Sequence, residues 1–227
     1  MYTSDYDDTL RFLGAVWQPG TFREIRVKGP RGVYGQAFDD TERAATFAAE
    51  RSDDDTTIAV WVTVNPIDPT TWKSEQKLAS DENVQSRTHL IIDGDTVRPK
   101  DQNATEAELE AAWIDYRKML DHLAGLGFPA PLIVFTGNGW QAWFRIDLPA
   151  SSNLVERFLK ALSAQFSTSA LHIDKSVHNP ARQLLPPLRR LPDRKAAARQ
   201  LSIQTILTWS KICAGLVCWQ ARLFQSW

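Results

Sequence analysis

Asp93 and Asp95 stand one residue apart at the end of the apolar run Leu90-Ile-Ile92, a pattern that predicts a strand. Side chains alternate along a strand, so both carboxylates leave from one face, with Cα atoms about 6.6 Å apart. That spacing suits divalent cations, because hard ions such as Mg²⁺ take oxygen ligands and keep water and phosphate in their other positions. Two ions about 4 Å apart clamp the attacking and leaving oxygens of a phosphoryl displacement. Taken alone, an Asp-x-Asp pair reads first as a solvated strand end. Asp174 shifts the weighing, since it ends a second short apolar stretch, Leu171-His-Ile-Asp174. Three acids gathered on one face repel one another unless cations lie among them.

Other residues have two readings each. Thr136-Gly-Asn-Gly139 is a tight hairpin by its turn chemistry, or a turn whose backbone approaches a nucleotide closely, which glycine permits. Arg87, Arg145, Lys175 and Arg182 are phosphate contacts or surface charges. His172 and His178 flank the third acid as substrate contacts or as structural histidines. Trp140 and Trp143 offer faces for stacking bases, or belong to the core, where at least one of them is expected.

The elements that must position these residues follow from periodicity. Helices are expected over 8–17 and 40–51, and strands over 22–27, 33–38 and 58–64, with Gly29-Pro-Arg-Gly32 as a turn. Residues 66 to 86 read as a polar loop with one helical turn. A strand over 88–95 comes next. A helix over 105–123 opens on the capping pair Thr105 and Glu108, carries the apolar stripe Leu109, Ala112, Trp113, Tyr116, Leu120 and Leu123, and stops at Gly125. Strands over 132–135 and 140–146 flank the Gly-Asn-Gly turn, followed by a helix over 153–166 and a strand over 171–174. From residue 88 onward the order is βαββαβ, the split unit of ferredoxin-like and RRM-like palms. The fold class expected is therefore α+β: an N-terminal α/β module over 1–87, an RRM-like palm with the metal site over 88–182, and an unassigned tail over 183–227.

Composition sets loose bounds. With 227 residues, 43% hydrophobic and 23% charged, the chain is long enough to bury a core without staples. A net charge of -1 shows no general basic excess, yet from Arg182 to Arg199 there are five arginines and one lysine against Asp193 alone. Cys213 and Cys218 are too few for a structural zinc site and suit a reducing compartment. The acidic start is not a secretory signal, and no apolar run is long enough to span a bilayer. A cytoplasmic location without membrane association is expected.

At these residues the sequence resembles the primase-polymerase branch of the archaeo-eukaryotic primase superfamily, known from phage and plasmid replication proteins. Leu90-Ile-Ile-Asp-Gly-Asp-Thr-Val-Arg-Pro-Lys100 is similar to the first motif of that family. Thr136-Gly-Asn-Gly-Trp-Gln-Ala-Trp-Phe-Arg-Ile-Asp-Leu-Pro149 is similar to the second, and His172-Ile-Asp-Lys-Ser-Val-His-Asn-Pro-Ala-Arg182 to the third. Phe12-Leu-Gly14, Glu24-Ile-Arg26 and Val64-Asn-Pro66 also match, so the resemblance covers roughly residues 10 to 182. It implies template-directed nucleotidyl transfer in replication of a phage, plasmid or other mobile element. Asp93, Asp95 and Asp174 would hold Mg²⁺ or Mn²⁺ under the incoming triphosphate. Thr136, Asn138, Gly139, Gln141, Lys175 and Arg182 would contact the nucleotide. Single-stranded DNA template, nucleoside triphosphates and a separate replicative helicase are the implied partners.

Three departures from the family pattern stand out. Gln141 occupies the place of a histidine expected at the phosphates, and glutamine carries no charge for a charge-assisted bond. Gly94 replaces an apolar residue, which implies a small packing gap and a looser strand. The resemblance ends at Arg182, a break that truncation or a shifted reading frame explains. A weakened relative that binds nucleotide or single-stranded nucleic acid without efficient synthesis is the alternative. A rolling-circle nuclease is set aside, because the chain lacks the paired metal-binding histidines that chemistry needs.

Overall fold

The computed structural model describes residues 6–70, 78–99 and 102–184. The expected tail beyond Leu184, with its basic run and both cysteines, lies outside the described residues. Described residues fall into two compact units. One holds the chain up to His89, Leu148–Ser152 and the residues from Asn179; the other holds Leu90–Asp147 and Asn153–His178. Leu148–Ser152 and the stretch from Asn179 were expected in the palm and instead belong to the first unit. They are held there by hydrogen bonds from Ala150 N to Gln85 O at 3.3 Å and from Ala181 N to Asp81 Oδ1 at 2.8 Å.

The first unit contains α1 (Tyr6–Val16), β1 (Arg23–Gly29), β2 (Gly32–Phe38), α2 (Thr41–Ser52), β3 (Ala59–Thr63), a 3-10 turn (Asp81–Asn83) and the first residues of β4 (Ser86–Thr96). Its sheet has the order β2-β1-β3 and is completed by a short last strand, Gln183–Leu184, which pairs antiparallel with β3. That strand was not expected, because two residues carry no period to read. Ile25, Val27, Val60 and Val62 line one face and are almost fully buried, as are Leu13, Val16, Ala44, Ala45 and Ala48 of the two helices. The alanines of α2 are small enough to let the helix lie close on the strands.

Charged residues on β1 are buried too. The Arg23 guanidinium donates to Thr63 O at 2.7 Å, to Val64 O and to Val16 O at 2.8 Å, so it ties three chain segments together. Glu24, fully buried, pairs with Arg26 at 2.6 Å and accepts from Ala79 N at 3.2 Å, while Arg26 donates to Ala79 O. A Cβ at Gly35 on the neighbouring strand would lie 2.5 Å from Glu24 Oε1. The Glu24-Ile-Arg26 stretch is thus a buried ion pair with its lone pairs satisfied, the condition under which such a pair is tolerated.

The second unit follows the expected βαββαβ order: the rest of β4, α3 (Glu106–Gly125), β5 (Leu132–Phe135), β6 (Gly139–Pro149), α4 (Leu154–Phe166) and β7 (Leu171–Asp174). Its sheet order is β5-β6-β4-β7, which puts the first and last strands of the unit side by side. β4 runs antiparallel to β7, and β5 to β6. The Thr105 hydroxyl accepts from Glu108 N at 3.2 Å and Glu108 accepts from Thr105 N at 2.8 Å, the reciprocal cap read from the sequence. Gly125 is the last residue of the helix, where the sequence placed its end. Beyond the C-cap Leu126, Gly127 takes a left-handed φ of 88° and turns the chain away. Ala112, Tyr116, Met119 and Leu123 form its buried stripe, so Met119 rather than Leu120 faces inward. Phe128 stacks on Phe158 of α4 at 5.5 Å and meets Phe144 of β6 edge-on at 5.7 Å.

Candidate active site

The ladder between β4 and β7 pairs Asp93 with Asp174, Gly94 with Ile173, and Asp95 with His172. Gly94 faces Tyr116 of α3, so by alternation the residues on either side of it leave from the opposite face of the sheet. Directly paired residues share a face. Asp93, Asp95, His172 and Asp174 therefore gather on the face turned away from α3. The three aspartates are half-buried and His172 is exposed.

Burial pushes the Asp95 carboxyl above its ordinary value; the Arg98 guanidinium opposes that shift, Asp174 adds to it, and His172 opposes it. Arg98 is held by its own donations to Gln102 O at 2.9 Å and Thr96 O at 3.2 Å. The Asp174 carboxylate accepts from Ser176 N at 2.7 Å and from Ser176 Oγ at 3.0 Å. Among the described residues, no three His, Cys, Asp or Glu side chains form a ready-made ligand cluster for a metal ion. The donor set still fits Mg²⁺ or Mn²⁺, since such ions are usually held by one or two carboxylates and completed by substrate phosphate and water. Asp93 and Asp174, paired across the ladder, are the carboxylates with that relationship.

The Thr136–Gly139 turn closes β5 onto β6, with Thr136 N donating to Gly139 O at 3.0 Å and the Thr136 hydroxyl donating to the same oxygen at 3.2 Å. Gly137 takes a left-handed φ of 97°. Asn138 uses its backbone carbonyl to accept from Thr96 N at 3.0 Å and Thr96 Oγ1 at 2.9 Å, and its side-chain oxygen to accept from Ala104 N at 3.2 Å. It therefore pins the segment after β4 to the turn. A Cβ built on Gly139 would run into Gly94 O and lie 2.8 Å from Asp95 Cα and 2.9 Å from Asp95 Oδ1. The close approach that glycine allows here is to the chain's own carboxylate strand.

Gln141 leaves from the same face as the acids, because its neighbour Trp140 packs on Trp113 of α3, with ring centroids 5.0 Å apart. It is 3% exposed, and its Oε1 accepts from Trp143 Nε1 at 3.3 Å. Trp140 and Trp143 are both core residues, so neither presents a ring for stacking. Lys175 and Arg145 are exposed cations of this unit. His178 meets Lys175 O through Nδ1 at 3.0 Å. Arg87 and Arg182 belong to the first unit. Arg87 is buried and donates to Ala150 O at 3.1 Å, a packing role rather than a surface charge. Arg182 accepts through its carbonyl from Val64 N at 2.8 Å. The residues that sequence reading passed over are Arg98, which acts on Asp95, and Tyr116, read only as one apolar residue in a stripe. The Arg-Pro step after the acids was the one available signal for Arg98.

No protein-family model matches the chain, and no curated protein matches it. Among solved structures, the chain is similar in fold to the AEP domain of the cyanophage S-2L primase-polymerase. The two are 14% identical, with a TM-score of 0.47 over 82% of this chain and 83% of that one. It is also similar to the crystal structure of primase RepB′, at 12% identity and a TM-score of 0.45 over 82% of this chain. It spans 50% of that second chain.

Proposed function

We propose that this chain is a template-directed nucleotidyl transferase, a DNA primase-polymerase acting in replication of a phage, plasmid or other mobile element. The observation that carries this reading is the register of β4 and β7, which sets Asp93 opposite Asp174 with Asp95 two residues along the same face. Acids so placed raise one another's cost of ionising, as Asp174 does for Asp95, and a cation relieves that cost. Asp93, Asp95 and Asp174 would hold Mg²⁺ or Mn²⁺. Such an ion neutralises triphosphate charge and lowers the pKa of an attacking hydroxyl. Lys175 is the cationic contact proposed for the nucleotide, with Thr136, Asn138 and Gly139 shaping the turn beside Asp95. Template single-stranded DNA, nucleoside triphosphates and a separate helicase are the proposed partners.

One observation favours the weaker alternative, nucleotide or single-strand binding without efficient synthesis. Gln141 is neutral, buried and engaged with Trp143, so it offers no charge to a phosphate. Incubation with primed and unprimed single-stranded template, nucleotides and Mg²⁺ or Mn²⁺ separates the readings. Products that vanish in Asp93→Ala while template binding persists support synthesis. Binding with no product at high Mn²⁺ supports the alternative, and neither binding nor product removes both.

Among the described residues, no helix is long and apolar enough to cross a membrane.

A further inference from the structure

We propose that Tyr116 is a positioning residue for the Asp93–Asp95 pair, its ring occupying the place that a side chain at position 94 would fill. The inference rests on the reading above for what the carboxylates do. It rests on the packing behind them for how they are held.

A buried tyrosine needs a partner for its hydroxyl. Tyr116 is fully buried and donates to Ile92 O at 2.7 Å, the carbonyl immediately before Asp93. The ring covers the next residue along. A Cβ on Gly94 would lie 2.5 Å from Tyr116 Cε2, 2.6 Å from Cδ2 and 3.2 Å from Leu171 Cδ1. Only glycine admits the ring, and the ring fills the space that glycine leaves. The packing gap expected at Gly94 from the sequence is therefore absent, which corrects that expectation.

Nor can the ring withdraw. Trp113 stacks beside it at 6.1 Å and 22°, Trp140 lies at 6.3 Å, and those two indoles meet each other at 5.0 Å. Interiors packed in this way transmit displacement rather than absorb it. Glycine inside a strand otherwise loosens it, and here the looseness would fall between two carboxylates whose spacing matters. Asp93 and Asp95 leave from the residues flanking Gly94, toward the opposite face. A shift of the backbone at residues 92–94 is thus a shift of both carboxylates. Asp93 in turn acts on the tyrosine: burial and the Asp93 charge both push the Tyr116 hydroxyl well above its ordinary value. Tyr116 does not reach the acidic face itself, and it acts only through β4.

The test uses the full chain and Mn²⁺ alone, with free Mn²⁺ followed by electron paramagnetic resonance and thermal unfolding measured in parallel. Variants are Tyr116→Phe, Tyr116→Leu, Gly94→Ala and the double variant Gly94→Ala/Tyr116→Leu. Tyr116→Leu should weaken Mn²⁺ binding by roughly 10-fold or more at a temperature where it is fully folded, the scale on which supporting residues tune a metal site. Tyr116→Phe, which keeps the ring, should lose less. Gly94→Ala alone should fold poorly, and the double variant should recover both folding and Mn²⁺ binding relative to the worse single variant. Should Tyr116→Leu prove unfolded, the comparison of Gly94→Ala with the double variant decides. Unchanged Mn²⁺ affinity in folded Tyr116→Leu overturns the positioning role, as does Gly94→Ala folding and binding as well as the unaltered chain. Absence of Mn²⁺ binding by the unaltered chain overturns the functional reading, and this inference with it.

Discussion

Gly139 lies so close to Asp95 that a methyl group on the glycine would sit 2.9 Å from the carboxylate oxygen and 2.8 Å from Asp95 Cα. Both obstacles belong to a strand in the middle of a sheet, so neither has room to retreat. Gly139→Ala should cost about 2–3 kcal/mol through overpacking, which is a fall in Tm of roughly 4–12 °C for a chain of this length. Thermal unfolding measures it, and an unchanged Tm would mean that the two strands are further apart than described.

Asp95 also makes stability depend on pH. Its carboxyl is raised above the ordinary value of 3.8, with burial as the largest cause. The folded state therefore holds this proton more tightly than the unfolded state does. Ionising Asp95 opposes folding, and that penalty grows as pH rises from about 3.8 through the raised value. Asp95→Asn should stabilise the metal-free chain near neutral pH, where the folded state would otherwise hold an ionised, half-buried carboxylate. The gain should vanish below about pH 3.8, where both states are protonated. Denaturant titrations at several pH values follow it.

If the acids hold a metal, single changes there should be severe for synthesis and mild for folding. Asp93→Ala and Asp174→Ala are each expected to lower product formation by about 100-fold or more, the upper end of what changes around a metal site cost. Far-ultraviolet circular dichroism should stay the same. Product formation by Asp174→Ala at the level of the unaltered chain would separate Asp174 from the site despite its place opposite Asp93.

Gln141→His tests whether the missing charge limits the reaction. A charge-assisted bond is about twice as strong as a neutral one, so a gain of roughly 10-fold in product formation is expected, near 1.4 kcal/mol. Gln141 is buried against Trp143, so the same change should lower Tm slightly. A lower Tm with no gain in product would show that the position has lost its access to phosphate.

The buried pair in the first unit gives a stability test unrelated to chemistry. Arg26→Ala leaves the Glu24 charge without its 2.6 Å partner in a fully buried place. The expected cost is about 3–5 kcal/mol, and replacing both residues with apolar ones should cost much less. Equal losses for the single and double changes would contradict this account.

Much of this architecture can be read locally. The Thr105–Glu108 cap, the turn after Phe135 and the βαββαβ order all follow from spacing within a few residues. So does the common face of Asp93 and Asp95, which alternation alone requires. What spacing cannot give is register and cover. Nothing near Asp174 tells which residue of β4 it will oppose, because that depends on how two distant strands align. Gly94 looked like a gap because the side chain that fills it lies twenty-two positions away, in another element. Arg87 read as a phosphate contact or a surface charge, although packing from elsewhere buries it, and both tryptophans of β6 are core where at least one was expected. The strand Gln183–Leu184 was missed because its partner, not its composition, makes it a strand.

The discontinuity of the first unit bears on how a ribosome delivers this protein. Asn65 accepts from Thr88 N at 2.8 Å and His89 N at 3.2 Å, and donates to Pro180 O at 2.8 Å. Its sheet likewise waits for Gln183 and Leu184. Translation must therefore proceed past the whole of the second unit before the first can close, and nascent chains halted between them would carry an N-terminal half with its last strand missing. Assembly from such non-local pieces is slow. A proteolytic fragment ending before Asn179 would inherit the same defect, so the two units are not separable by a single cut.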